Sequence, residues 1–264
     1  MTRTDADGWA ARLASGERIA DAVAIVVAHA DDETLFTGAL LGRLENGRLI
    51  HVTDGAPRDM RDAERLGFAT REEYAAARAR ELDAAVAALG GDPVRRQYRV
   101  PDQEAIDALE RIVERLTEDL RGAAVVATHA YEGGHPDHDA VALAVAMACD
   151  RLGEAAPARV EFASYHLLDG ERVWARFWSD GDHPEHSRDL DREDRTRIET
   201  ALAAHRSQTA VFDDWRPTVE RWRAGPRHDF LRPPPPGECL YDLFGWAMTS
   251  ARWRERAAEA LAAC

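Results

Sequence analysis

The chain has 264 residues, 45% hydrophobic and 31% charged, which is enough apolar content for a packed core and excludes a disordered chain. A net charge of −14 argues against a basic nucleic-acid footprint and against attraction to an anionic membrane surface. Lysine is absent, which excludes Schiff-base catalysis, pyridoxal phosphate attachment and a P-loop lysine.

Residues 21–29 are a nearly continuous apolar run, as for a strand buried on both faces. Asp32 and Glu33 then open a helix expected to reach about residue 44, because carboxylates in a first turn suit the helix dipole. Residues 49–53 read as a second strand, and a helix over 72–89 is stopped by Gly90-Gly91. A short strand follows at 97–100. Ile106, Leu109, Ile112, Val113, Leu116 and Leu120 then carry helical spacing. Residues 123–128 give the next strand and 139–152 the next helix. This alternation predicts an α/β fold with a parallel sheet covered on both faces.

Beyond Pro157 the pattern changes. Residues 159–168 and 172–178 flank Asp169-Gly170 as a hairpin, 181–188 read as polar loop, and 191–207 as a helix. Residues 233–236 form a stiff proline segment and 249–263 a terminal helix. With no repeat and no linker, the expectation is one domain over 1–264, with a core at about 20–180 and a C-terminal elaboration at about 181–264.

Two histidine–carboxylate clusters carry the chemistry. His29-Ala30-Asp31-Asp32-Glu33 follows the first strand, and His135-Pro136-Asp137-His138-Asp139 lies shortly after the strand at 123–128. Both are expected at the sheet edge where open α/β sheets hold their ligands. A catalytic zinc usually takes three protein ligands and keeps a position for water. His29 and Asp32 from one cluster and His138 from the other make such a set. Asp31 then stands beside the metal as general base toward water. His135 is left to protonate a departing amine, with Asp137 to orient and charge it.

Arg58, after the Thr53-Asp54-Gly55 loop, is a candidate to clasp a substrate hydroxyl, phosphate or carboxylate; a solvated loop arginine accounts for it equally well. Asp102, after a predicted strand, is expected to bond a sugar hydroxyl. Glu33 is expected to anchor a helix start, His129 to bond backbone, and His183-Pro184-Glu185-His186 to be surface loop. His205 is expected on a helix, facing either the cleft or the interior. Six of the seven tryptophans lie beyond residue 170 (Trp174, Trp178, Trp215, Trp222, Trp246, Trp253); most are assigned to packing and one or two to the substrate mouth. Cys149, Cys239 and Cys264 lack metal-ligand spacing and are an odd number, so a reducing cytoplasm is expected. No run approaches the ~20 apolar residues of a membrane span, and the polar, acidic residues 1–16 are unlike a signal peptide.

The chain resembles the PIG-L/LmbE-like metal-dependent N-deacetylases, which remove acyl groups from amino sugars and related amines. The resemblance rests on residues 24–40 (AIVVAHADDETLFTGAL) and 127–144 (ATHAYEGGHPDHDAVALA). Weaker support comes from Thr53-Asp54-Gly55, residues 78–82 before Leu89-Gly90, Val100-Pro101-Asp102, and residues 204–208. The resemblance implies a Rossmann-like three-layer sandwich with a mostly parallel sheet, and usually zinc, sometimes iron(II). On matching positions it places metal ligands at His29, Asp32 and His138, the base at Asp31, and the acidic histidine at His135 with Asp137 as partner. Ala30 stands where the family usually has proline. Gly133 stands where some sugar deacetylases have tyrosine, the nearest one here being Tyr131.

The resulting expectation is a zinc-dependent N-deacetylase of an amino-sugar-containing small molecule, without nucleic-acid or membrane partners. One alternative is an amidase of the same superfamily for a larger conjugate, such as a thiol adduct or antibiotic intermediate. Another is a noncatalytic metal- or sugar-binding protein, but binding alone needs neither Asp31 nor His135. A nucleotide-binding Rossmann protein is disfavoured because no glycine-rich loop follows the first strand.

Overall fold

The computed structural model describes residues 5–178, 181–212, 215–235 and 237–263; Cys264, Pro236 and the first four residues of the predicted acidic start lie outside them. An amphipathic helix, α1 (Ala6–Ala14), precedes the first strand, β1 (Ile19–Val27). The chain then runs through α2 (Asp32–Leu41), β2 (Leu44–Pro57), α3 (Arg61–Arg65), α4 (Arg71–Leu89) and β3 (Val94–Asp102). It continues with α5 (Leu109–Asp119), β4 (Val125–His129), α6 (Pro136–Leu152) and β5 (Ala158–Phe162). Beyond these come β6 (Tyr165–Leu168), β7 (Glu171–Trp174), β8 (Glu185–Asp189), α7 (Arg192–Ala204), β9 (Val219–Ala224) and α8 (Ser250–Ala262).

The main sheet has seven strands in the order β3-β2-β1-β4-β5-β9-β8. The first five are parallel, and β9 and β8 add antiparallel at one edge. Helices cover both faces, so the expected three-layer α/β sandwich with a mostly parallel sheet is what the chain adopts. The period-2 pleat explains why β1 is apolar throughout: Ala24 and Val26 enter one core with α5, α6 and α8. Val23, Ile25 and Val27 enter the other with α1, α2, α4 and α7.

Strand order reverses between β1 and β4, one continuing to β2 and the other to β5. A crevice opens at such a switch point, at the carboxyl ends of the strands. His29 follows β1 by two residues and His129 ends β4. Topology alone therefore brings the two clusters together.

Several expected boundaries move. The second cluster is not a loop before a helix: His135 is the N-cap of α6, Pro136 takes its first turn, and the helix starts three residues earlier than predicted. The helix after the first cluster ends at Leu41, since Leu44 already belongs to β2. The predicted run 159–168 is split at Ala163-Ser164, with β5 in the main sheet and β6 pairing β7 across the Asp169-Gly170 turn. The predicted polar loop 181–188 contains β8, a charged edge strand paired to β9. His186 therefore lies on a strand, half-buried, 2.9 Å from Asp7.

Candidate active site

Sharp turns deliver the two clusters to the crevice. Asp31 holds φ at 155°, a region costly for any residue but glycine. Its N–H donates to the His29 carbonyl at 3.1 Å and to Glu33 Oε2 at 3.0 Å. Glu33 is in turn clamped from distant elements, by His51 Nε2 of β2 at 3.0 Å and by His205 Nε2 after α7 at 3.5 Å. Burial opposes its charge, yet these histidines hold its carboxyl below the usual carboxylate range. Glu33 thus anchors the turn as expected, and His205 faces the interior rather than the cleft.

His29, Asp32 and His138 converge. His29 Nδ1 lies 3.4 Å from Asp32 Oδ2, and His138 Nε2 lies 3.1 Å from Asp32 Oδ1. One ligand atom from each of the three lies within 4.8 Å of the others. Both His138 nitrogens are buried without an aligned hydrogen bond, although Asp32 is so near. Groups that approach without bonding each other share a common point between them, and two neutral imidazoles with one carboxylate suit a divalent cation there. Burial pushes His138 down to about 4, which keeps it neutral as a ligand must be.

Asp137, expected beside His135, serves His29 instead. Its Oδ2 is 3.2 Å from His29 Nε2, and it accepts the Gln103 and Ala105 N–H groups at 2.6 and 3.0 Å. The helix start imposes this correction. His135 Nδ1 accepts the Asp137 N–H at 3.1 Å as the cap of α6, which leaves the Asp137 carboxylate to other donors. A second set of possible ligands, His29, Asp102, His135 and Asp137, shares His29 with the first. Its carboxylates support the outer nitrogen of His29, as outer carboxylates do for ligating histidines.

His135 consequently differs from the cationic acid read from the sequence. Its Nδ1 lone pair is engaged, so the proton sits on Nε2, 3.8 Å from Asp102 Oδ1. Burial and the neighbouring His29 push it well below the usual histidine range. Here it is a neutral hydrogen-bond donor.

Asp31 is buried beside Asp32, and burial pushes its carboxyl up to about 7 against the pull of Arg78. Arg78 is the main residue that sequence reading left without a role. It reaches in from α4, fully desolvated, to donate to Asp31 Oδ2 at 2.9 Å, the Ala30 carbonyl at 2.9 Å and the Gly55 carbonyl at 2.7 Å. The only sequence signal was its place in the block at 78–82. His129 accepts the Ala28 N–H at 3.1 Å, the backbone bond expected of it, and stacks on His138 at 3.9 Å.

A cavity of about 450 Å³ opens over these groups, lined also by Tyr74, Tyr165, Arg172, Trp174, Gln208 and Trp246. Tyr165 faces the site, 5.2 Å from His138 between ring centres, and Tyr74 also lines the cavity. Tyr131 is buried away from it and donates to the Arg232 carbonyl. Among the tryptophans, Trp222 and Trp253 are fully buried core. Trp215 stacks on Trp174, and Trp178 packs against His166. Asp102 lines the cavity, whereas Arg58 does not; it is exposed and paired to Glu104 at 2.6 Å.

Gly134 lets the β6 hairpin close over the second cluster. A Cβ there would lie 1.9 Å from the Tyr165 carbonyl oxygen. Gly134→Ala is expected to cost about 1–3 kcal/mol, as overpacking does, and to lower the urea midpoint of unfolding.

The fold and the paired clusters resemble those of PIG-L/LmbE-like α/β proteins. Residues 24–149, which hold both clusters, match the family model described as PIG-L, GlcNAc-PI de-N-acetylase. Solved structures share the fold. The zinc-inhibited form of teicoplanin deacetylase Orf2 is 16% identical, with a TM-score of 0.62 over 78% of this chain and 98% of that one. The A40926 pseudoaglycone deacetylase Dbv21 is 22% identical, with a TM-score of 0.57 over 78% and 97%. The conserved protein TT1542 from Thermus thermophilus is 20% identical, with a TM-score of 0.53 over 79% and 95%. No curated protein matches the chain. Among the described residues no helix is long and apolar enough to cross a membrane.

Proposed function

We propose that this chain is a divalent-metal-dependent N-deacetylase, with zinc as the expected ion, hydrolysing the N-acetyl amide of an amino-sugar-containing small molecule. The observation that carries the reading is Asp31: a buried carboxylate next to the three converging ligands yet held by Arg78, outside the set. A binding protein has no use for it. The family match and the deacetylases that share the fold support the amide as the bond attacked.

His29, Asp32 and His138 would hold the ion, which when bound supplies Lewis acidity toward the amide carbonyl and acidifies water. Asp31 accepts the proton of the attacking water. Arg78 fixes the carboxylate and keeps it ionised enough to do so. The Nε2–H of His135 donates to the charge that develops at the reacting amide. The proton held by Asp31 then passes to the departing nitrogen, so that a free amine and acetate leave.

The test is acetate release from a panel of N-acetylated sugars and glycosides, before and after chelation. Release that stops with the chelator and returns with zinc or iron(II) is expected. Full activity in the metal-stripped protein would overturn the reading.

A further inference from the structure

A second cavity, of about 380 Å³, lies behind the Asp31 turn and shares no lining residue with the active-site cavity. The two are nevertheless neighbours along the chain. Ala30 and Asp54 line the second cavity, while the residues that follow them, Asp31 and Gly55, line the first. Arg78 ties this partition together, since it donates to the Ala30 and Gly55 carbonyls as well as to Asp31. A molecule in the second cavity would press on the turn that holds Asp31 without entering the active site.

The walls define what would bind. One wall is an apolar face of α4, formed by Ala75, Ala76, Ala79 and Leu82. From β3 come Gln97 and Arg99. That strand is bulged here: His51 pairs with Gln97 and Thr53 with Val100, so β3 carries one residue more than β2. Arg99 sits in the bulge with φ at 58°, a left-handed conformation uncommon outside glycine. The two cations of the cavity differ. Arg71 pairs with Asp54, donates to the Ala56 carbonyl at 2.9 Å and lies 3.9 Å from Glu72. Arg99 has no partner among the described residues. One free guanidinium matches one planar carboxylate, which can take two of its N–H groups at once. A phosphate would bring a second negative charge against Asp54 and Glu72, which line the same cavity. The α4 wall calls for an apolar body on the ligand, and the volume is that of a small-molecule site.

We propose that this cavity is an effector site for a small apolar monocarboxylate, whose binding braces the Ala30–Asp31 turn from behind. Arg99 pairs with the carboxylate, and the alanines of α4 meet the apolar body. The inference goes beyond the deacetylase reading and does not depend on it.

The experiment titrates benzoate and isobutyrate into the metal-loaded protein by calorimetry, with benzamide and isobutyramide as neutral counterparts. Arg99→Gln and Ala76→Leu are titrated alongside; both positions are exposed, so the fold is kept. At least one carboxylate is expected to bind, its amide about tenfold more weakly, and Arg99→Gln to lose about tenfold in affinity, the usual worth of a charged hydrogen bond. Ala76→Leu is expected to weaken binding by filling the cavity. Hydrogen exchange over residues 29–33 is expected to slow when the carboxylate binds the wild type. Affinity left unchanged in either variant would place the carboxylate elsewhere, as at the metal centre, and overturn the site. No binding by either carboxylate, equal binding of the amides, or unchanged exchange at the turn in the bound protein would overturn the proposal as well.

Discussion

Asp31→Asn is expected to keep the metal and the fold while lowering turnover about 10²–10⁴-fold, the usual worth of a general base. The amide side chain still accepts a hydrogen bond from Arg78, 2.9 Å away in the native protein, but cannot take a proton from water. The pH profile gives the sign of the same effect. Burial pushes Asp31 up to about 7, and the base must be ionised, so turnover rises with pH through a limb above the ordinary carboxylate range. Arg78 pulls that value down, so Arg78→Met should shift the limb to higher pH. Measuring kcat/KM against pH alongside the metal content of each variant decides the matter. An Asp31→Asn protein that has lost its metal would make Asp31 a ligand instead.

His138→Ala should lose stoichiometric metal and, with it, activity down to background. The residue is fully buried with its Nε2 3.1 Å from Asp32 Oδ1, and the neighbouring imidazole of His129, 3.4 Å from Asp32 Oδ2, has its Nε2 lone pair engaged by the Ala28 N–H and so cannot replace it. Asp137→Asn makes the informative contrast. Of the three converging groups it meets only the outer nitrogen of His29, at 3.2 Å, besides accepting the Gln103 and Ala105 N–H groups, and the loss of such an outer partner typically costs about 10–100-fold in metal affinity. Metal titration followed by elemental analysis should therefore rank the two variants, with Asp137→Asn refilled at high metal and His138→Ala not. Full metal content in His138→Ala would remove it from the ligand set.

The sequence by itself determined the α/β class, the parallel strands and the two clusters that share one site. The physical reason is that these signals are local. A strand buried on both faces must be apolar throughout, as residues 21–29 are, and a helix stop such as Gly90 is written at one position. His29, Asp31, Asp32, His135 and His138 were legible because each cluster is contiguous and follows its own strand.

What pairs with what across the chain was decided only by the tertiary structure. Asp137 binds the outer nitrogen of His29, over a hundred residues away in sequence, because the cap of α6 turns its carboxylate from the adjacent His135. Arg78 looks like one arginine among many on an exposed helix until the turn at Gly55 and the carboxylate of Asp31 close around it. The charged segment of β8 has no apolar alternation to announce a strand; its backbone is ordered by pairing with β9, whose Trp222 supplies the burial. Arg58 lies next to the loop that suggested it, yet it pairs with Glu104 outside the cavity. Hydrogen bonds between residues far apart in sequence leave no periodicity for a sequence to show, and only the packed sheet brings them within reach.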